Sequence, residues 1–345
     1  MWDEAPTANK AVFACVDEVC RKVMQCDQPF GGKVILVLGD FRQTCPVIRR
    51  GSKSQIIDAS IRSSPLWSHF LISTLTTPIR DAEDPDFSAF LDRIGDGELD
   101  DVPLNFMKRT SDKNDLVDYV FPPEVIANPI SCLTRSILAP TNRQVDDYNA
   151  TILDRIDGDS ISYMARDSLK EAEENNLRSP NSVLDFVSRH QLPGMPPFTL
   201  TIKKNAVYRL LRNFSIERGL VKNARVVITD VGQRLISIRV LRASLQDMMN
   251  SEIILIPRIT FSTKLASGHT LLRQQFPLGP SYATTFHSCQ GMTLDRIGVD
   301  LTNPVFSHGQ LYTALSRIRN RKSGIVRLHP GHFSTTNVTY HELLL

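Results

Sequence analysis

No stretch of the 345 residues approaches the roughly 18 consecutive apolar residues that a membrane-spanning helix requires, so no membrane partner is expected. Met1 to Lys10 carry an acidic pair and a proline, where a secretory leader has a basic stretch followed by an apolar one; no signal peptide is read there. Cysteines are few, six in all, and no Cys-x-x-Cys pair occurs. That argues against a disulfide framework or a zinc site and for reduced thiols in an intracellular protein, by default in the nucleus or cytosol. His329 and His332 have the spacing of half a metal site, but without partner cysteines they read as surface histidines. Charge of one sign is lacking too, at a net of only +3, and there is no internal repeat.

What is present is the composition of a globular protein, 41% hydrophobic and 22% charged, long enough for two or three domains. Charge is unevenly placed. Residues 81–101 hold nine acidic residues against Arg93 alone, whereas 201–245 hold ten basic residues, among them Lys222 and Arg225, against Glu217 and Asp230. The second segment could face phosphates.

Val12, Val16, Val19 and Val23 recur at helical spacing, which predicts an amphipathic helix over 9–25 with those valines inward. The continuous run Val34–Leu38 reads as a parallel strand buried on both faces, ending at Gly39-Asp40. Asp3-Glu4 should likewise end a strand, and in doubly wound sheets ligands bind beyond strand carboxyl ends. A second α/β unit opens at Ser136–Pro140 and continues into a helix from about Asn142. Residues 166–183 read as a polar, irregular insertion. From 199 to about 260, short β-branched runs at 225–229, 235–240 and 253–256, broken by Gly and Asn, predict a small antiparallel barrel. The α/β texture returns with a strand at 297–301, a helix from His308 to Arg319 and a strand at 325–328.

Consecutive Asp3-Glu4 suits nucleotide hydrolysis, one carboxylate holding Mg²⁺ through water and the next activating the attacking water. Gly39-Asp40-Phe41-Arg42-Gln43 places a glutamine where a phosphate or that water could be hydrogen-bonded. Arg80 follows, then Thr284 to Thr293, then Ala314-Leu315-Ser316-Arg317. With Leu311, Leu315 and Ile318 facing inward, Arg317 would be free to point into a cleft. In this order and at these separations the segments resemble the later motifs of superfamily 1 DNA helicases, in particular the Pif-type helicases of Helitron transposons.

The resemblance implies an α/β fold of two RecA-like P-loop NTPase domains, the first one incomplete, with a small inserted β-barrel. It places the first motor domain in 1–120, the second in 121–184 and 262–345, and the barrel in 185–261. It implies ATP and Mg²⁺ as cofactors, with Asp3 on the metal, Glu4 as base, Gln43 as sensor and Arg80 and Arg317 on the γ-phosphate. Gln290-Gly291 would turn towards the nucleotide. Thr284, Thr285, His287, Ser288, Lys222 and Arg225 would contact single-stranded DNA or a duplex junction. Pro78-Ile79 before Arg80 and Ser288 in place of a lysine depart from the pattern. No Gly-x-x-x-x-Gly-Lys-Ser/Thr occurs in these residues, and Gly31-Gly32-Lys33 precedes a strand instead of following one. The expectation is that the 345 residues alone bind ATP poorly.

Overall fold

The computed structural model describes all residues except 49–50, 78, 172–180, 191, 193, 243–245 and 247–250. Pro78 and much of the expected 166–183 insertion therefore lie outside the described residues. Two compact units emerge, one of Met1–Val120, Ile137–Val145 and Thr284–Leu345, the other of Phe121–Ser136 and Asp146–Ala283.

The first unit is built on a five-stranded sheet in the order Ala283–Thr285, Arg135–Ala139, Arg296–Asp300, Gly324–Arg327, Lys108–Thr110. The last three run parallel. Gln144, beyond the carboxyl end of Arg135–Ala139, reaches Thr302 beyond that of Arg296–Asp300 at 3.4 Å, so those two strands finish on the same side. The helix Pro85–Gly95 starts where the Asp84 side chain accepts from Phe87 N (3.3 Å) with proline at its first position. It buries Phe87, Phe90, Leu91 and Ile94 in one core with Ile297, Val299, Leu311 and Leu315.

The first helix forms as expected, over Lys10–Met24 with Asn9 as its cap, but it turns a different face inward. Val12, Val19 and Val23 are exposed, while Phe13 and Asp17 are buried. Phe13 lies 5.3–5.7 Å, ring to ring, from Trp2, Phe30 and Phe70. Clustered aromatics bury more surface than a valine stripe, and they set the rotation. Asp17 caps the Phe30 amide and pairs with Arg21 at 2.8 Å. Val34–Leu38 also departs from its reading. The segment makes only a bridge to Trp2, whose N donates to Leu36 O (2.8 Å) and whose O accepts from Leu38 N (2.8 Å). Ile35 and Val37 pack inward and Val34 is 97% exposed, so one face is buried and not two.

The second unit holds an antiparallel sheet in the order Ile254–Pro257, Leu235–Val240, Arg225–Val231, Val207–Leu210, Leu278–Pro280. Beside it are a three-stranded sheet (Ile259–Lys264, Thr270–Gln275, Arg166–Leu169) and a two-stranded one (Ser160–Met164, Thr199–Lys203). The β-rich texture is where the sequence placed it. The expected closed barrel is not: the outer strands of the five-stranded sheet do not pair with one another, and no closed barrel forms among the described residues. In the three-stranded sheet Arg273 stands directly across from Asp167, and both side chains are buried.

Candidate nucleotide site

The first unit gathers residues that are far apart in the chain. Glu4 sits in a left-handed turn (φ 51°) just after Asp3, whose Oδ1 accepts from Glu4 N at 3.0 Å. Gln290 Nε2 donates to Glu4 Oε2 at 2.7 Å, and Gln290 Oε1 accepts from Thr44 Oγ1 at 2.7 Å. One amide thus ties the carboxylate at the start of the chain to the segment after Gln43. Gly291 follows with φ 76°, and a Cβ there would lie 3.8 Å from Glu4 Oε1, so the turn passes close over the acid.

The 285–291 loop leaves the sheet at the carboxyl end of Arg135–Ala139, where Phe286 N donates to Ala139 O (3.2 Å). Thr285 Oγ1 donates to Ser288 Oγ at 2.9 Å and accepts from Ser288 N at 3.3 Å, which rounds the loop and leaves His287 and Ser288 exposed. Thr284 and Thr285 are half-buried. Cys289 is buried beneath them, and burial pushes its thiol up to about 12, so it packs as an inert apolar group.

Arg317 differs from its reading. The helix ends at Leu315, and Arg317 is only 1% exposed. Its guanidinium does not project into a cleft: it donates to Thr313 O (2.7 Å), Ser316 Oγ (2.8 Å) and Met292 O (3.3 Å). Burial pulls it below the ordinary arginine range. Cys289 opposes that shift, Arg80 adds to it, and Glu4 opposes it. Arg80 Nη1 donates to Ser316 O at 2.8 Å. Arg80, Arg42, Tyr312 and Ser316 line a cleft of about 180 Å³. Glu4, Gln290, Arg80 and Arg317 therefore share one neighbourhood.

Gln43 is held from behind. Its Oε1 is buried and has no hydrogen-bond partner among the described residues. Asp40 accepts from Arg42 N (2.9 Å) with one oxygen and from the Tyr312 hydroxyl (2.8 Å) with the other. His308 bridges the same turn: Nε2 donates to Phe41 O (2.7 Å) while Nδ1 accepts from Tyr340 N (2.9 Å), so its bonds specify one neutral tautomer. Gly309 (φ 68°) lies so close beneath that a Cβ would come within 2.5 Å of the Gln43 carbonyl carbon. His308 was expected only to open a helix, and no role was expected of Gly309 or Tyr312. Their signal was the polar run 307–310 that leads into the helix Gln310–Leu315.

Two expected contact residues lie in the second unit and behave differently. Lys222 is exposed. Arg225 instead turns inward, its Nη1 donating to the carbonyls of Cys132 (2.6 Å), Leu133 (2.9 Å) and Arg135 (3.3 Å), where a lost partner would leave buried carbonyls unpaired. Lys203, from the same basic stretch, likewise pins the carbonyls of Leu153 and Ile156. Part of that charge is structural.

Residues 1–103 match the family model for PIF1-like helicases. The ATP-dependent DNA helicase PIF1 of Xenopus laevis is 29% identical over 320 residues, and its Homo sapiens counterpart 29% over 323. Over those stretches the chain is similar to the PIF1-like helicases. Each alignment takes in 92% of this chain and 44% of the relative, so the chain spans less than half the length of the curated relatives it matches. The fold agrees. The crystal structure of the Candida albicans Pif1 helicase superposes with a TM-score of 0.63 at 21% identity, over 96% of this chain and 72% of that one. Bacteroides Pif1 bound to ssDNA does so at 0.66 and 20%, over 99% and 71%. These likenesses show a mixed α/β fold shared with those Pif1 helicases, RecA-like domains included.

Proposed function

We propose that this PIF1-like chain carries the hydrolytic half of an ATP-dependent DNA helicase, coupling ATP hydrolysis to movement along single-stranded DNA and to opening of duplex junctions. One observation carries the reading: the Gln290 amide holds the Glu4 carboxylate at 2.7 Å beside Arg80 and Arg317. Glu4 then accepts a proton from the attacking water, Gln43 orients that water by accepting from it at its unpaired Oε1, and the two arginines take up charge building on the phosphoryl oxygens. Arg317 reaches the phosphate by exchanging its carbonyl partners for phosphate oxygens, which makes those bonds a ground-state latch.

The residues fit the γ-phosphate end of a magnesium nucleotide. Asp3 is exposed and engages only one oxygen with the backbone; a single carboxylate plus substrate phosphates and waters is a usual magnesium environment. Bound there, Mg²⁺ would neutralise phosphate charge. Thr284, Thr285, His287 and Ser288 contact DNA phosphates in this reading, with Lys222 on the second unit. Arg225 drops out of the contact set. The biological settings that suit such an enzyme are DNA repair, recombination, telomere maintenance or transposition, in the nucleus.

A second reading rests on the missing Gly-x-x-x-x-Gly-Lys-Ser/Thr within these 345 residues: a DNA-binding remnant that hydrolyses nothing. Purified 1–345 separates part of this. Without backbone amides and a lysine to cradle the phosphates, it should release no phosphate above background with or without oligonucleotide. DNA-stimulated turnover by the purified chain would refute that expectation.

A further inference from the structure

At the other end of the same sheet, away from the nucleotide site, four cations gather and only one of them has a carboxylate partner among the described residues. Lys108 and Arg296 are the first residues of their strands, and the turn Arg321–Ser323 leads directly into Gly324–Arg327. Because Lys108–Thr110, Gly324–Arg327 and Arg296–Asp300 are adjacent and parallel, all three starts fall on one side. The 285–291 loop lies beyond the opposite, carboxyl ends.

Aromatic rings are set among these charges. Lys108 Nζ stands 4.6 Å and the Arg296 guanidinium 4.8 Å from the centre of the same ring, Tyr119. That brings two cations within about 10 Å of each other, a separation at which exposed like charges still repel. The Tyr119 hydroxyl donates to Lys322 O at 2.6 Å, fixing the ring and drawing the Lys322 backbone in. Phe106 stands perpendicular to Phe90 with ring centres 4.2 Å apart and keeps 37% of its surface exposed. Phe106, Lys108, Tyr119, Arg321 and Lys322 line a cleft of about 360 Å³.

Arg321 is neutralised by Asp84 (3.4 Å) and Asp86 (3.3 Å). Lys108, Arg296 and Lys322 have no carboxylate within 4 Å among the described residues. Nearby acids are Asp118 and Asp295, one residue from Tyr119 and Arg296 in sequence. Converging cations without a carboxylate partner cost free energy until an anion arrives, and an exposed ring beside them offers a stacking platform. A phosphate chain carrying flat bases satisfies both features, whereas an acidic polypeptide satisfies only the first. We propose that this cleft is a second binding site for single-stranded nucleic acid, on the side of the sheet opposite the hydrolytic site. Phosphates would lie against Lys108, Arg296 and Lys322, and a base against Phe106. The site stands whether or not the chain hydrolyses ATP.

The test uses the 1–345 chain and a short labelled oligothymidylate, followed by anisotropy over a range of salt. Lys108→Glu/Lys322→Glu should weaken binding roughly tenfold and flatten the salt slope by about 1.4, two phosphate contacts' worth on a single strand. Oligonucleotide carrying 4-thiothymidine should crosslink, on irradiation, to the peptides holding Phe106 or Tyr119, and should still do so in His287→Ala/Ser288→Ala. Unchanged affinity and slope in the double charge reversal would overturn the site. So would crosslinks confined to 284–288, or a short polyglutamate that competes as well as the oligonucleotide. Melting temperatures matching the unsubstituted chain keep loss of binding distinct from loss of fold.

Discussion

In a form of this protein that turns over ATP, Glu4→Gln is expected to cut DNA-stimulated phosphate release by about 10³-fold, the range lost when a general base is removed. The substitution is nearly isosteric. Gln290 Nε2 now donates to Glu4 Oε2 at 2.7 Å. An amide at position 4 can keep that bond through its carbonyl oxygen, so the Asp3–Ala8 turn and the 285–291 loop stay in place. What it cannot do is take a proton from water. Binding of single-stranded DNA should therefore persist while turnover disappears, and the two are measured on one sample by anisotropy and by phosphate release. Loss of both together would mean that Glu4 is structural. Turnover near the unsubstituted level would remove it from the chemistry.

The largest stability effect is expected at Arg273. Its guanidinium is fully buried and grips Asp167 with two bonds, Nε to Oδ1 at 2.8 Å and Nη2 to Oδ2 at 2.6 Å, across adjacent antiparallel strands. The remaining donors reach Pro196 O and Val187 O, both at 3.1 Å, and the guanidinium lies over Phe198. Arg273→Ala leaves a carboxylate in the interior with no counter-charge and orphans two carbonyls. Removing one partner of a buried pair costs about 3–5 kcal/mol. Removing both need not: Asp167→Leu/Arg273→Met replaces the pair with apolar side chains and should lose much less, since the desolvation of both charges is relieved together. Chemical denaturation of the single and double variants checks this, and equal losses in the two would show that the ion pair is not what holds these strands.

The motif segments could be read in the sequence because each clusters unusual residue types at a strand end. Asp3-Glu4, Gln43 and Gln290-Gly291 come together on one unit although Glu4 and Gln290 are 286 positions apart. The strands around 225–240 and 296–327 fall where their β-branched runs placed them, to within a residue or two. Other features depended on information that periodicity does not carry. The valine stripe of the first helix was outweighed by Phe13, whose partners Trp2, Phe30 and Phe70 are distant in sequence. The run 34–38 has the composition of a doubly covered strand, but among the described residues its one β-bridge is to Trp2.

Arginine roles were the least legible. Charge alone does not say whether a guanidinium faces phosphate, as proposed for Arg80, or caps carbonyls, as Arg225 does. Arg317 was expected to be free and is held by three acceptors. The barrel failed for a topological reason. Strand runs and turns announce an antiparallel sheet, but closure depends on the outer strands meeting, and Ile254–Pro257 and Leu278–Pro280 do not pair.

In the proposed function, the first unit holds a phosphate-side hydrolytic site in which Arg317 is latched until nucleotide binds. The most direct measurement is DNA-stimulated phosphate release by Arg317→Ala and its parent, in a form that supplies a phosphate-binding loop, with oligonucleotide affinity measured in parallel. Release should fall by about 10³-fold or more, the scale of an arginine that stabilises transferring phosphoryl charge, with DNA affinity kept within a factor of about two. Release that continues at the parent rate would contradict the assignment and leave Arg317 as a structural pin of the 313–317 turn.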